Sequence, residues 1–218
     1  MELLSSQFIL SIQAIVFVSI VCMHLAKKNS TVVWLYVLQS AAVVFLLIAS
    51  SLAELSLLLV VALIATIVIK LFVAPNFFLK LITRHQLVFS ATTYLNTPLT
   101  LFCLAAIVAF IQSFLRTPLT IFTQIDTSLL IIAVSAIFSS FFLIVNRKGA
   151  LSQMIGILSA ENSIVAFAIF AGLEQSPSLQ LGIMFDLLVW ILIASIFASM
   201  IYKQFGTLDV SEMRHLTE

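Results

Sequence analysis

The stretch ALSQMIGILSAENSIVAFAIFA (residues 150–171) is long and apolar enough to cross the hydrocarbon core of a bilayer, which takes about 20 helical residues, yet it holds one carboxylate, Glu161, near its middle. The next apolar stretch, LQLGIMFDLLVWILIASIFASM (179–200), repeats the pattern with Asp186. A charged carboxylate at that depth costs roughly 3 kcal/mol or more, so two of them in adjacent spans point to proton or ion handling.

The rest of the chain agrees with a membrane solvent. Of 218 residues 62% are hydrophobic and 9% charged, against about 25% charged in an average soluble domain. The apolar runs lack the alternation of barrel strands, so they read as helices. Seven spans are expected, at about 3–25, 32–53, 55–74, 99–115, 127–145, 150–172 and 179–202, in one all-α transmembrane domain. It divides into an N-terminal three-helix part with its connector (1–98), two helices (99–145), and a helix pair with a polar tail (146–218). The first span lacks a basic leader region and a clear cleavage site, so it is read as retained.

With seven spans the loops alternate sides, and the basic residues sort with them. Lys27, Lys28, Lys80, Arg84, Arg147, Lys148, Lys203 and Arg214 fall on one side; Arg116 falls on the other, beside Glu2, Glu54, Asp126 and Glu174. That asymmetry predicts an outer N-terminus and a cytoplasmic C-terminus. PNFFLKLITRH (75–85) either continues the third helix beyond a kink at Pro75 or lies at the interface, and the kinked continuation is the favoured reading. SATTYLNTP (90–98) reads as a connector.

Depth defines the candidate site. Glu161 lies near the midplane and Asp186 roughly 10 Å into its span, both too short to reach the surface. Such carboxyls suit a proton relay, or else a protonated packing contact between helices. Lys70, in LIATIVIKLFVAP (63–75), either snorkels to the near surface or pairs with a buried acid. Gln39, Gln153 and Asn162 are uncharged candidates for helix packing or a water wire. Ser152, Gly156, Ser159 and Ser163 share the face opposite Glu161 and form a small-residue seam for close helix contact, which turns Glu161 toward a different helix or a looser, hydrated gap. Gly182, one turn before Asp186, leaves room for a partner or water.

Cys22 and Cys103 lie inside spans with no CxxC or Cys/His spacing, and no phosphate loop is present, so the chain is expected to hold no cofactor or metal and to bind no nucleic acid. His24, His85 and His215 are read as solvated at the membrane interface.

NRKGALSQMIGILSAENSIVAFAIF (146–170), LQLGIMFDLLVWILIASIF (179–197) and FGTLDVSEMRHL (205–216) resemble the E-type membrane subunit of hydrogenase 4 and related formate hydrogenlyase complexes. The C-terminal part of that family is in turn similar to the K-type membrane subunit of complex I and to the equivalent subunit of multisubunit cation/proton antiporters. VLQSAAVVFLLIASSLAE (37–54) and ATIVIKLFVAP (65–75) extend the resemblance to the N-terminal half. The resemblance puts Glu161 at the family's intramembrane glutamate, Asp186 at a second acid that is Glu in the complex I relative, and Lys70 at a lysine of the hydrogenase subunits.

What the resemblance implies is an accessory membrane subunit that is not itself an enzyme, in a prokaryotic cytoplasmic membrane. Its partners would be antiporter-like membrane subunits, the membrane subunit joining the two arms, and hydrophilic subunits holding [NiFe] and Fe–S centres. Two other readings stay open: a cation/proton antiporter subunit without redox partners, and a structural spacer. KKNSTVVWLYVLQSA and NRKGALSQMIGILSA look faintly alike, as a parallel repeat of the first three and last three helices would produce.

Overall fold

Inside hydrocarbon every backbone N–H and C=O must be satisfied by the protein, and the chain meets that demand with helices. The computed structural model describes residues 6–51, 56–87, 93–120, 127–173, 176–206 and 208. Among them seven helices are long and apolar enough to cross a membrane: α1 (Ser6–Leu25), α2 (Asn29–Ser51), α3 (Leu57–Arg84), α4 (Thr97–Leu119), α5 (Thr127–Asn146), α6 (Ala150–Phe170) and α7 (Pro177–Phe205). The protein is an all-α, multi-pass membrane protein. Glu2, Glu54, Asp126, Glu174, Arg214 and His215, together with most of the polar tail, lie outside the described residues.

Two helices run longer than their apolar runs suggest, for one reason. Proline lacks the N–H that would bond four residues back, and its ring crowds that carbonyl. In α3 a π-helical segment, Val68–Val73, stands directly before Pro75, and the Ala74 N–H reaches back to the Ile69 carbonyl. The wider turn lets α3 pass through Pro75 to Arg84, so the continuation reading holds and the expected end at 74 is corrected. In α4 the segment Ile111–Leu115 is π-helical ahead of Pro118, and the span reaches Leu119 rather than 115. Arg116 is therefore a helical residue, not a loop residue.

Helices α1, α2, α5 and α6 form the centre: α5 packs on α6, α1 on α2 and α5, and α2 on α6. The small-residue seam of α6 makes the closest approach. A Cβ on Gly156 would stand 2.8 Å from Ile144 Cγ1 of α5, and Ser140 and Ser159 Oγ are 3.1 Å apart. Helices α3 and α7 pack against each other at one flank.

The described basic loop residues share one end of the bundle. Arg147 Nη2 donates to the carbonyls of Met23, His24 and Ala26 at 2.5, 3.0 and 2.9 Å, tying the α5–α6 turn to the end of α1. It thereby caps carbonyls that the end of a helix leaves unpaired. Asn29 Nδ2 donates to the Leu87 carbonyl, His85 lies against Tyr202, and the Ala150 N–H reaches the Leu208 carbonyl, which brings the ends of α3 and α7 to that same face. Lys27, Lys28, Lys80, Arg84, Lys148 and Lys203 sit there, while Arg116 is at the far end of α4, whose start is held by Asn146.

The interfacial reading of two histidines is overturned. His24 is buried, with Nε2 3.1 Å from the Ser139 carbonyl and its ring stacked on Phe142. His85 is buried with its ring centre 4.1 Å from that of Tyr202. Each lies within helix packing because an aromatic neighbour from another helix covers it. His85 stands outside the spans, and its burial, with the nearby Arg84 charge second, pushes its pKa below the usual 6.5.

Candidate functional site

Lys70 is the fourteenth of the 28 residues of α3, and Glu161 the twelfth of the 21 residues of α6, so both lie near the middle of their spans. They meet. Lys70 Nζ lies 2.5 Å from Glu161 Oε2 and donates to Asn162 Oδ1 at 2.7 Å. Lys70 is 1% exposed, which excludes the snorkelling alternative, while the Glu161 side chain is 22% exposed. The π-turn carries Lys70, and extra-wide turns of this kind recur where a helix must aim a side chain at a site.

Asn162 anchors the pair to α2. Its Nδ2 donates to Ser40 Oγ at 2.8 Å and approaches Gln39 Oε1 at 3.5 Å. Gln39 Nε2 reaches the Ser159 carbonyl at 3.3 Å and Ser163 Oγ at 3.5 Å. Ser159 then meets Ser140 on α5. The result is a polar layer through α3, α6, α2 and α5 in which a cation, a carboxylate, two amides and several hydroxyls adjoin one another. Tyr36 belongs to its edge, with its hydroxyl buried near Ser40. Glu161 Oε1 is buried and accepts no hydrogen bond from the described residues. One oxygen of the carboxylate is thus held by the cation, and the other has no partner among the described residues.

Three of the expected residues, Lys70, Glu161 and Asn162, form the heart of the site, and Gln39 supports it. Two stand apart. Gln153 Nε2 donates to the Arg147 carbonyl at 2.8 Å, where it closes the basic turn before α6. Asp186, the tenth residue of α7, is exposed on the outer flank of the bundle and does not join Glu161. Gly182 beside it is open, since a Cβ there would meet nothing within 4 Å. Within the bilayer that flank faces lipid or another chain, and a carboxylate facing lipid alone is costly.

Sequence reasoning passed over Ser40, Ser140, Tyr36 and the buried role of Arg147. Small hydroxyls in apolar helices are common, and only the contact across helices gives them meaning. Among the described residues no group of three or more His, Cys, Asp or Glu side chains could hold a metal, and Cys22 and Cys103 are free thiols on α1 and α4.

Fold and site together define a multi-pass membrane protein whose described residues form seven apolar spans, with an ion pair near the middle of two of them. No family model matches the chain, and no curated protein or solved structure matches it.

Proposed function

We propose that the protein is a non-catalytic membrane-arm subunit of a group 4 [NiFe] hydrogenase or formate hydrogenlyase-type assembly related to complex I, contributing Glu161, Lys70 and Asp186 to proton or sodium translocation. The observation that carries this reading is the Lys70–Glu161 pair: two opposite charges held mid-bilayer, with one carboxylate oxygen unengaged. Burying an ion pair is rarely a gain over apolar packing, which favours a use for the charges beyond stability.

The chemistry follows from the contacts. A proton arriving at Glu161 Oε1 neutralises the carboxylate and removes the attraction that holds Lys70 Nζ. The ammonium then keeps Asn162 Oδ1 as its acceptor and is free to swing or to release a proton of its own. Departure of the proton restores the pair. A neighbouring charge that moves during turnover would bias this two-state element, which is how a remote redox event reaches a midplane site.

The exposed Asp186 fits a subunit rather than a solitary chain, since its face needs a polar neighbour that the described part of this protein does not supply. Partners by this reading are the antiporter-like membrane subunits, the subunit joining the arms, and the hydrophilic subunits that hold the [NiFe] and Fe–S centres. The basic end of the bundle then faces the cytoplasm of a prokaryotic cell, with the N-terminus outside.

Affinity purification of the tagged chain from its own membranes tests the reading: nickel and Fe–S proteins should accompany it. Antiporter subunits without metal would move the assignment to a cation/proton antiporter. A structural spacer is favoured by one observation, the Asn162–Ser40 and Gln39–Ser159 bonds that tie α6 to α2. Neutral effects of replacing both acids on ion movement would select it.

A further inference from the structure

Gln13 is the single amide on the face of α1 that Ile9, Val16 and Ile20 bury against α2 and α5. It is 0% exposed, and neither Nε2 nor Oε1 has a hydrogen-bond partner among the described residues. On α5, the hydroxyls of Ser135 and Ser139 are also buried and without a partner. These two lie one turn apart on one face of that helix.

Gln13 and Ser135 lie at the level of the ion-pair layer, and Ser139 stands one turn nearer the basic face. Leu25, Asn29, Asn146 and Ala150 end or begin α1, α2, α5 and α6 at the same face of the bundle. Gln13, Ser40, Ser135 and Glu161 each stand about 11 residues from that face along their helices, a depth of about 17 Å. Ser139 is next in sequence to Ser140, which already belongs to the layer through Ser159.

We propose that ordered water occupies the seam between α1 and α5 from this depth to one turn nearer the basic face, held by the Gln13 amide and the Ser135 and Ser139 hydroxyls, and that it extends the polar layer from the Lys70–Glu161 side of the bundle to α1. Buried amides and hydroxyls are almost always satisfied, and those that protein groups leave over are met by internal water. An amide supplies two donors and an acceptor, and each hydroxyl one donor and acceptor sites, which meets the two to four partners that such a water needs. The three groups are neutral, and none of them carries a charge to balance a metal cation or an anion. Water is the occupant their chemistry selects. The inference does not depend on the proposed function, because it concerns occupancy rather than ion movement.

The test uses the full chain extracted from its own membrane, following its heat-induced aggregation. Gln13→Leu keeps the shape and removes the polar atoms. If water bridges Gln13 to the serines, the change strands their hydroxyls and lowers the thermal midpoint. Ser135→Ala lowers it too, and the double variant loses less than the two separate losses combined. A dry, unpaired amide gives the opposite sign, because its removal relieves a buried polar atom and raises the midpoint. A high-resolution structure of the wild type supplies the second readout: solvent density within about 3.2 Å of a Gln13 side-chain atom is expected. A raised midpoint, or a seam closed by direct Gln13–serine bonds without solvent, overturns the proposal. Should Gln13→Leu fail to fold, the wild-type density decides.

Discussion

Replacing Lys70 by Met removes the ammonium while keeping most of the aliphatic stem, and it leaves the Glu161 carboxylate near the middle of the membrane without its counter-charge. Breaking a buried pair by deleting one partner costs about 3–5 kcal/mol in water-soluble proteins. Two features of this site reduce that figure. The Glu161 side chain is partly exposed, and it can take up a proton and become neutral. Helices inserted but not packed also find polar partners within the membrane, which narrows the difference between states. The expected loss is therefore about 2–3 kcal/mol. For a chain of this size that corresponds to a fall of roughly 4–12 °C in the thermal midpoint.

Glu161→Leu alone should cost a similar amount, because it strands the ammonium instead. The double variant Lys70→Met with Glu161→Leu should cost about as much as either single variant rather than their sum, giving a coupling energy of about 2–3 kcal/mol between the positions. The assay is heat-induced aggregation of the chain in detergent, read for the wild type, both single variants and the double variant. Additive losses, or a Lys70→Met variant as stable as the wild type, would refute the pairing and return Lys70 to the membrane surface.

Three further outcomes are expected. Gly156→Val should lower stability by about 1–3 kcal/mol, since even a Cβ there must displace Ile144, and Gly156→Ala should cost less; thermal midpoints check both. Stability should fall as pH drops below 6.5 toward the lowered His85 pKa, because the unfolded chain then binds a proton that the folded one resists, and His85→Phe should flatten that slope in midpoint-against-pH measurements. Asp186→Asn should leave this chain's own thermal midpoint unchanged within about 0.5 kcal/mol while loosening its hold on partner subunits in affinity purification, given that Asp186 is exposed on the outer flank.

The spans were legible because bilayer thickness fixes a helix length that apolar runs reveal directly. Their ends at prolines were not: the apolar run stops near Pro75, while the backbone absorbs that residue with a π-turn and continues to Arg84. Glu161 stood out as a charge in the wrong solvent, and the small residues opposite it gave its direction correctly. Its partner could not be read, because Lys70 is separated from it by 91 positions and a lysine in an apolar run has the same local sequence whether it snorkels or pairs. Arg147 shows the same degeneracy. A basic turn reads as a wet surface charge, yet this one is buried and caps the carbonyls of α1. Asp186 carried the same signal as Glu161, but the side of a helix that faces its own bundle depends on how α3 and α7 pack, not on the span itself.

The central claim is that the Lys70–Glu161 pair handles protons or sodium in a complex driven by electron transfer. Ion uptake by vesicles holding the purified complex, measured beside electron transfer in the same sample for wild type and Glu161→Gln, tests it most directly. Gln keeps the shape and an acceptor for Lys70 but cannot ionise. Assembled complex with electron transfer retained and uptake reduced at least tenfold is expected, a loss of about 1.4 kcal/mol or more in the rate. Full uptake by Glu161→Gln would contradict it.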